Sequence, residues 1–95
     1  MSAPSLALQM FFFTSPTCGP CKSVKPVVAE LREDNTQITW IEVDTTADPN
    51  HYATTYKVTH VPTMVAVKNG TEIGRHSGTQ MMGYFALVKR LTTSK

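Results

Sequence analysis

Two different hydrophobic periods follow one another near the start of this chain, and they constrain its fold more than any other feature. Leu6 to Phe13 is a short apolar run, rich in Phe and stopped by Thr14-Ser15-Pro16. A run of that length and composition reads as a buried strand. From Gly19 to Glu33 the apolar residues Val24, Val27, Val28 and Leu31 recur at helical spacing. Pro20 suits the first turn of that helix, where a missing N–H costs nothing. Pro26 lies inside the helix and predicts a kink. Asp34-Asn35 ends it. A strand running straight into a helix, with a second strand after it, predicts a parallel pair with a right-handed crossover.

The rest of the chain completes the pattern. Ile38 to Val43 alternates apolar and polar residues and reads as a strand. Asp44 to Asn50 is a loop, and His51 to Tyr56 a short helix following Pro49. Thr63 to Lys68 and Thr71 to Ser77 are strands joined by Asn69-Gly70, a strong two-residue hairpin sequence. Met82 or Gly83 to Leu91 closes the chain as a helix, with Phe85, Leu87, Val88 and Leu91 as its expected apolar positions. The order β-α-β-α-β-β-α predicts an α/β fold: a mixed four-stranded sheet with helices on both faces. Its 95 residues suffice for one domain, taken as residues 1–95.

Composition narrows the function classes. The net charge of +2 is too small to argue for nucleic-acid or membrane partners. No apolar run reaches the ~18 residues of a membrane span. Leu6–Phe13 has no Lys or Arg before it and no small-residue cleavage site after it, so no signal peptide is predicted. The expected location is the cytoplasm, where thiols are kept reduced. Two cysteines cannot build a multi-disulfide scaffold, so the pair is expected to be catalytic or metal-binding.

Cys18-Gly19-Pro20-Cys21 sits between strand and helix. The first N–H groups of a helix lack internal partners, and its dipole favours negative charge there. A Cys18 thiolate gains from both, and the thiolate is the reactive form. Cys18 is expected to be the more exposed and to attack a disulfide, and Cys21, a turn further in, to resolve the mixed disulfide. Half a zinc site is an alternative, with His51, His60 and His76 as the remaining ligand types at loose spacing. A plain structural disulfide is another. The dithiol redox site outweighs both, and neither metal nor bound cofactor is expected.

Beyond the tetrapeptide, the chain resembles the thioredoxin family, the standing example of a redox C-x-x-C. The resemblance is carried by Cys18 to Lys22, Pro26, Val43-Asp44, Tyr56-Lys57-Val58, Val61-Pro62-Thr63, Lys68-Asn69-Gly70 and Gly78, in family order from Phe11 to Leu91. It implies a thioredoxin-like fold and a protein-disulfide reductase acting as a monomer. It also implies disulfide-containing protein substrates, with a flavin-dependent thioredoxin reductase as electron donor. Gly19 and Pro20 would shape the helix start. A proline opening a strand is by itself an edge or turn feature, trans by default. The resemblance implies a cis Pro62, with the backbone of Val61 free to pair with an extended substrate. Thr17 and His60 would flank that substrate. His60 stands where the family often has Gly, as either a charge switch or an exposed loop residue.

Several positions depart from the family pattern. Thr17 replaces the usual Trp before the first cysteine. Phe12 replaces the buried Asp thought to take the proton of the resolving cysteine, and Glu42 falls where its Lys partner is expected. Ile38, Trp40 and Glu42 share one strand face. If that face looks at the active-site helix, Glu42 can supply the missing carboxylate; otherwise it is solvated and water moves the proton. Only 17 residues precede Cys18, about one strand and one helix fewer than the family pattern. Other readings are a glutaredoxin-like protein reduced by glutathione, a more oxidising disulfide exchanger, and a non-enzymatic partner on the same fold. Ser77-Gly78-Thr79 stands where a glutaredoxin would carry Gly-Gly-x-Asp.

Overall fold

A computed structural model describes residues 7–93. The first strand, β1, spans Leu8–Thr14. Helix α1 spans Gly19–Asp34, β2 Thr39–Asp44 and α2 Tyr52–Thr55. Then follow β3 Thr63–Lys68, β4 Thr71–Ser77 and α3 Met81–Thr93. The predicted order is the observed one. Leu6, where the first strand is expected to begin, lies outside the described residues; β1 extends one residue further than expected at its end, through Thr14.

The sheet order is β2-β1-β3-β4. β1 and β2 are parallel, with Phe12 beside Glu42 and Thr14 beside Asp44. β3 lies antiparallel to both β1 and β4. The hairpin turns at Asn69 and Gly70, with φ of 52° and 83°, as a tight turn between twisted strands requires. A register shift beside Ala66 and Val67 leaves Ile73 as the extra residue of β4.

The pleat sorts β1 into two faces. Met10 and Phe12 join Val24, Val28 and Leu31 of α1, Met64 and Ala66 of β3, and Tyr84, Leu87, Val88 and Leu91 of α3 in one core. Phe11 and Phe13 join Val43, Val65 and Val67 on the other face, with Tyr52, Tyr56, Val58 and Val61 packed over them. α1 runs as one element through Pro26, whose side chain is on the exposed side. There the missing N–H of Pro26 leaves the carbonyl of Lys22, also an exposed residue, without its helical partner.

One expected core position is revised. Phe85 is 44% exposed, and Tyr84 takes the inward position at 0%. Tyr84, Leu87, Val88 and Leu91 form the i, i+3, i+4, i+7 stripe, and Phe85 falls just outside it. The Tyr84 hydroxyl donates to the Gly78 carbonyl, which removes the penalty of burying it. Trp40 is half-buried at the edge of the α1 core, because its indole N–H reaches out 3.1 Å to the Asn35 carbonyl that follows α1.

Candidate active site

The chain passes from β1 to α1 through Ser15, Pro16 and Thr17, with the Cys18 N–H donating to the Ser15 carbonyl at 3.2 Å. Cys18 is the N-cap of α1, with extended backbone at φ −85° and ψ 105°. Pro20 occupies the first turn. The Cys21 N–H donates to Cys18 Sγ at 3.1 Å, so the sulfur fills the place of the usual capping oxygen. One orphan N–H of the helix start is thereby aimed at Cys18 Sγ, and such a donor binds a thiolate more strongly than a neutral sulfur.

Cys18 and Cys21 are joined by a disulfide, with Cα atoms 5.3 Å apart. Cys18 keeps 8% of its surface and Cys21 only 1%. Cys21 belongs to the inward stripe of α1 with Val24, Val28 and Leu31. Around Cys18, the residues Thr17, Gly19 and Pro20 are exposed.

The loop before β3 is fixed from both sides. The Val61–Pro62 peptide is cis, and Pro62 is buried. Thr63 Oγ1 donates to the His60 carbonyl at 2.7 Å and lies 2.8 Å from Ser77 Oγ. The Gly78 N–H donates to the Pro62 carbonyl at 3.0 Å, from a backbone at φ +101° that suits glycine. Val61 is half-buried, and its own N–H and carbonyl make no hydrogen bond among the described residues. His60 is exposed, with Nδ1 3.4 Å from Thr59 Oγ1. A cleft of about 270 Å³ beside it is lined by Thr45, Ala53, Val58, Thr59, His60 and Val61.

Glu42 does lie on the sheet face that meets α1, since its neighbour Phe12 packs in the α1 core. The family's carboxylate is buried, whereas the Glu42 side chain is 44% exposed, 3.7 Å from Lys25 and 3.8 Å from Arg32. Phe12, at 2% exposure, makes the vacated acid position part of the apolar core. Asp44, one pleat nearer the site, holds Thr46 through both its N–H and its hydroxyl. Those two hydrogen bonds place its pKa below the ordinary carboxylate value, with a smaller contribution from Lys25. No group of three His, Cys, Asp or Glu side chains that could hold a metal occurs among the described residues. None of their helices is long and apolar enough to cross a membrane.

Sequence reasoning passed over one residue of this end of the sheet, Thr14. Its side chain is 3% exposed and its hydroxyl oxygen finds no hydrogen-bond partner among the described residues. Alternation with Met10 and Phe12 was the available clue.

Known proteins share this arrangement. The thioredoxin family model matches residues 5–90. A thioredoxin of Echinococcus granulosus is 32% identical over 77 residues, covering 81% of this chain and 71% of that protein. A thioredoxin of Mycolicibacterium smegmatis is 35% identical over 82 residues, covering 84% of this chain and 71% of that one. The X-ray structure of Fasciola hepatica thioredoxin superposes with a TM-score of 0.84 at 28% identity, over 92% of this chain and 84% of that chain. A match over nearly the whole sheet, with a cysteine pair at the helix start, leaves one conclusion: the chain belongs to the thioredoxin family and is a thiol–disulfide oxidoreductase.

Proposed function

We propose that this oxidoreductase works as a reductase of protein disulfides, with Cys18 attacking and Cys21 resolving. The observation that carries the assignment is the asymmetry of the pair. Cys18 is the more accessible sulfur and the one that receives the helix-start N–H. In the reduced form its thiolate attacks one sulfur of the substrate disulfide, forming a mixed disulfide and releasing the first substrate thiolate. Cys21 then loses its proton and attacks Cys18 Sγ. The bond to the substrate breaks, the second thiolate leaves, and the Cys18–Cys21 disulfide remains. The substrate has gained two electrons, and its thiolates take protons from water.

Val61 presents the substrate. Its unpaired N–H and carbonyl suit an extended peptide added beside the cysteines. Thr17, Gly19 and Pro20 form the exposed floor on one side, with His60 on the other. Thr17 stands in place of the family's apolar Trp and His60 in place of its common Gly, so a polar rim favours substrates with acidic or polar flanks. Electrons return from a thioredoxin reductase, and the protein acts as a cytoplasmic monomer without bound cofactor.

Water carries the Cys21 proton outward, with Glu42 on the α1 face of β2 as its acceptor. The Glu42→Gln variant tests this: the pH profile of disulfide reduction is expected to shift, by no more than a few-fold in rate given the exposure of the carboxylate. An unchanged profile leaves Glu42 only its ion pairs with Lys25 and Arg32.

The main experiment is reduction of insulin with the electron source varied between a dithiol reagent, the glutathione system and thioredoxin reductase. Turnover with thioredoxin reductase is expected, and activity with glutathione alone overturns the assignment. The Cys21→Ser variant is expected to accumulate substrate on Cys18, seen as a mass adduct. An adduct on Cys21 in Cys18→Ser instead reverses the roles.

A further inference from the structure

The Thr14 hydroxyl is a buried polar group that the disulfide form leaves unused. Its oxygen is sealed from solvent and has no hydrogen-bond partner among the described residues. The backbone there is satisfied, since the Thr14 carbonyl accepts the Thr45 N–H at 2.9 Å, so only the side chain is unpaired. Leaving a buried hydroxyl unpaired is costly, and such groups in native proteins ask for an explanation.

Position supplies one. The pleat puts Thr14 on the same face as Met10 and Phe12, toward α1. α1 doubles back along β1 after only four intervening residues, Ser15 to Cys18. Phe12 meets the helix around Lys25 and Val28, with which it lines a shared cleft. Thr14 stands two strand residues further along, about 6.6 Å, which equals roughly four to five helix residues. That step leads from Lys25 back to Pro20 and Cys21, and from Val28 back to Ser23 and Val24. The inward residues of that stretch are Cys21 and Val24, and of these only Cys21, at 1% exposure, can accept a hydrogen bond through its side chain.

We propose that Thr14 is a positioning residue for the resolving cysteine: its hydroxyl donates a hydrogen bond to Cys21 Sγ once the disulfide opens. The disulfide sulfur is a weak acceptor, whereas a thiolate is a strong one. The bond is therefore made fully once Cys21 has lost its proton, in the reduced form or the mixed disulfide, and is missing in the disulfide form. No proton crosses it. Cys21 gives its proton to water, the Thr14 hydroxyl steadies the thiolate, and the thiolate then displaces the substrate from Cys18. The inference rests on Cys21 being the resolving thiol. It gives this chain a neutral donor at a site where the family's buried carboxylate is replaced by Phe12.

Stabilising the ionised Cys21 makes the pair a better oxidant at pH values where that thiol has lost its proton, because there the redox equilibrium moves toward the dithiol. A hydrogen bond to a thiolate changes such an equilibrium by about tenfold, or about 30 mV for a two-electron couple.

The test uses Thr14→Val, which keeps the shape and removes the hydroxyl, and Thr14→Ser, which keeps the hydroxyl. The redox equilibrium of each is measured against a dithiol reagent over a range of pH, with no protein substrate present. Resolution of a mixed disulfide formed on Cys18 is timed separately. Other charges at this end of the sheet are Asp44 and Glu42 on β2, Lys22 and Lys25 on α1, and His60 before β3, and all are unchanged between the variants. Where Cys21 is ionised, Thr14→Val is expected to move the equilibrium about tenfold toward the disulfide; it is also expected to slow resolution by a similar factor and to raise the pH midpoint of the buried thiol. Thr14→Ser restores all three.

Equal equilibria and pH profiles for Thr14→Val and wild type overturn the proposal, whatever the substitution does to stability. If Thr14→Val does not fold, the Thr14 methyl of reduced wild-type protein is followed by NMR through the titration of the buried thiol. A methyl signal that stays unchanged through that titration overturns the proposal equally. Trapping of substrate on Cys18 in Cys21→Ser separates a failure here from a failure of the attacker and resolver assignment.

Discussion

The two faces of the sheet are built differently. On one, α1 and α3 cover the strands with complete apolar stripes, and Tyr84, Leu91, Val24, Met10 and Met64 are fully buried. On the other, the cover is α2, a single turn with no buried residue of its own. Tyr52 and Tyr56 lay their rings on Phe11, with centroids 4.9 and 5.0 Å away. Such a short helix has no stability of its own, so it depends on this aromatic contact and on borrowed polar ties. Asp48 accepts the N–H groups of Tyr52 and Ala53 at 3.1 and 2.8 Å. Arg75 donates to the Tyr56 carbonyl at 2.6 Å while gripping Glu72. Cys21 belongs to the buried stripe of α1 on the thick face, and the thin face borders the cleft beside Val61. The cysteine pair thus leans on the fuller apolar cover and the cleft on the thinner one.

The strongest way to break this comparison is Leu91→Ala, which empties the middle of the thick face. A loss of about 2–5 kcal/mol in denaturant unfolding is expected, with the whole sheet responding together. Next comes Gly83→Ala. A Cβ there collides with the His76 ring, so His76 must leave its edge-on contact with Tyr84 and its 2.9 Å approach to the Gln80 carbonyl. The expected cost is about 1–3 kcal/mol, reduced by up to about 1 kcal/mol from better helix propensity. A stabilised protein contradicts the close α3–β4 seam.

Phe11→Leu probes the thin face. A loss of about 1 kcal/mol is expected, with faster proteolysis around α2 and an unchanged redox equilibrium of the cysteines. A shifted equilibrium denies that the two faces act separately. The smallest effect concerns pH. Arg75 hydrogen-bonded to Glu72 lowers the Glu72 pKa from its ordinary 4.5, burial opposing only in part. The folded value lies below the unfolded one, so the contribution is present above pH 4.5 and lost as pH falls through the folded value. Wild type is expected to lose up to about 1 kcal/mol there relative to Glu72→Gln, a modest amount because the pair is partly exposed. Parallel acid-unfolding curves for the two proteins contradict it.

Much of this was legible in the chain. The Phe-rich run, the helical spacing of Val24, Val28 and Leu31, and Asn69-Gly70 report local periodicity and turn chemistry, which neighbours in sequence decide. Phe85 and Tyr84 show the limit. Both are aromatic and adjacent, and which one faces inward depends on the helix starting at Met81 and on the Gly78 carbonyl being there to accept a hydroxyl. Glu42 shows another. Its face follows from alternation, but its ion pairs with Lys25 and Arg32 follow from how α1 lies across β2.

The sequence alone determined the order of elements, the C-x-x-C at the start of a helix and the distinct environments of its two sulfurs. Each is a consequence of spacing along the chain. Tertiary structure alone decided that Thr14 is sealed away without a partner among the described residues and that the Val61 backbone is open. Those facts depend on which distant segment closes over each group, and no local period carries that information.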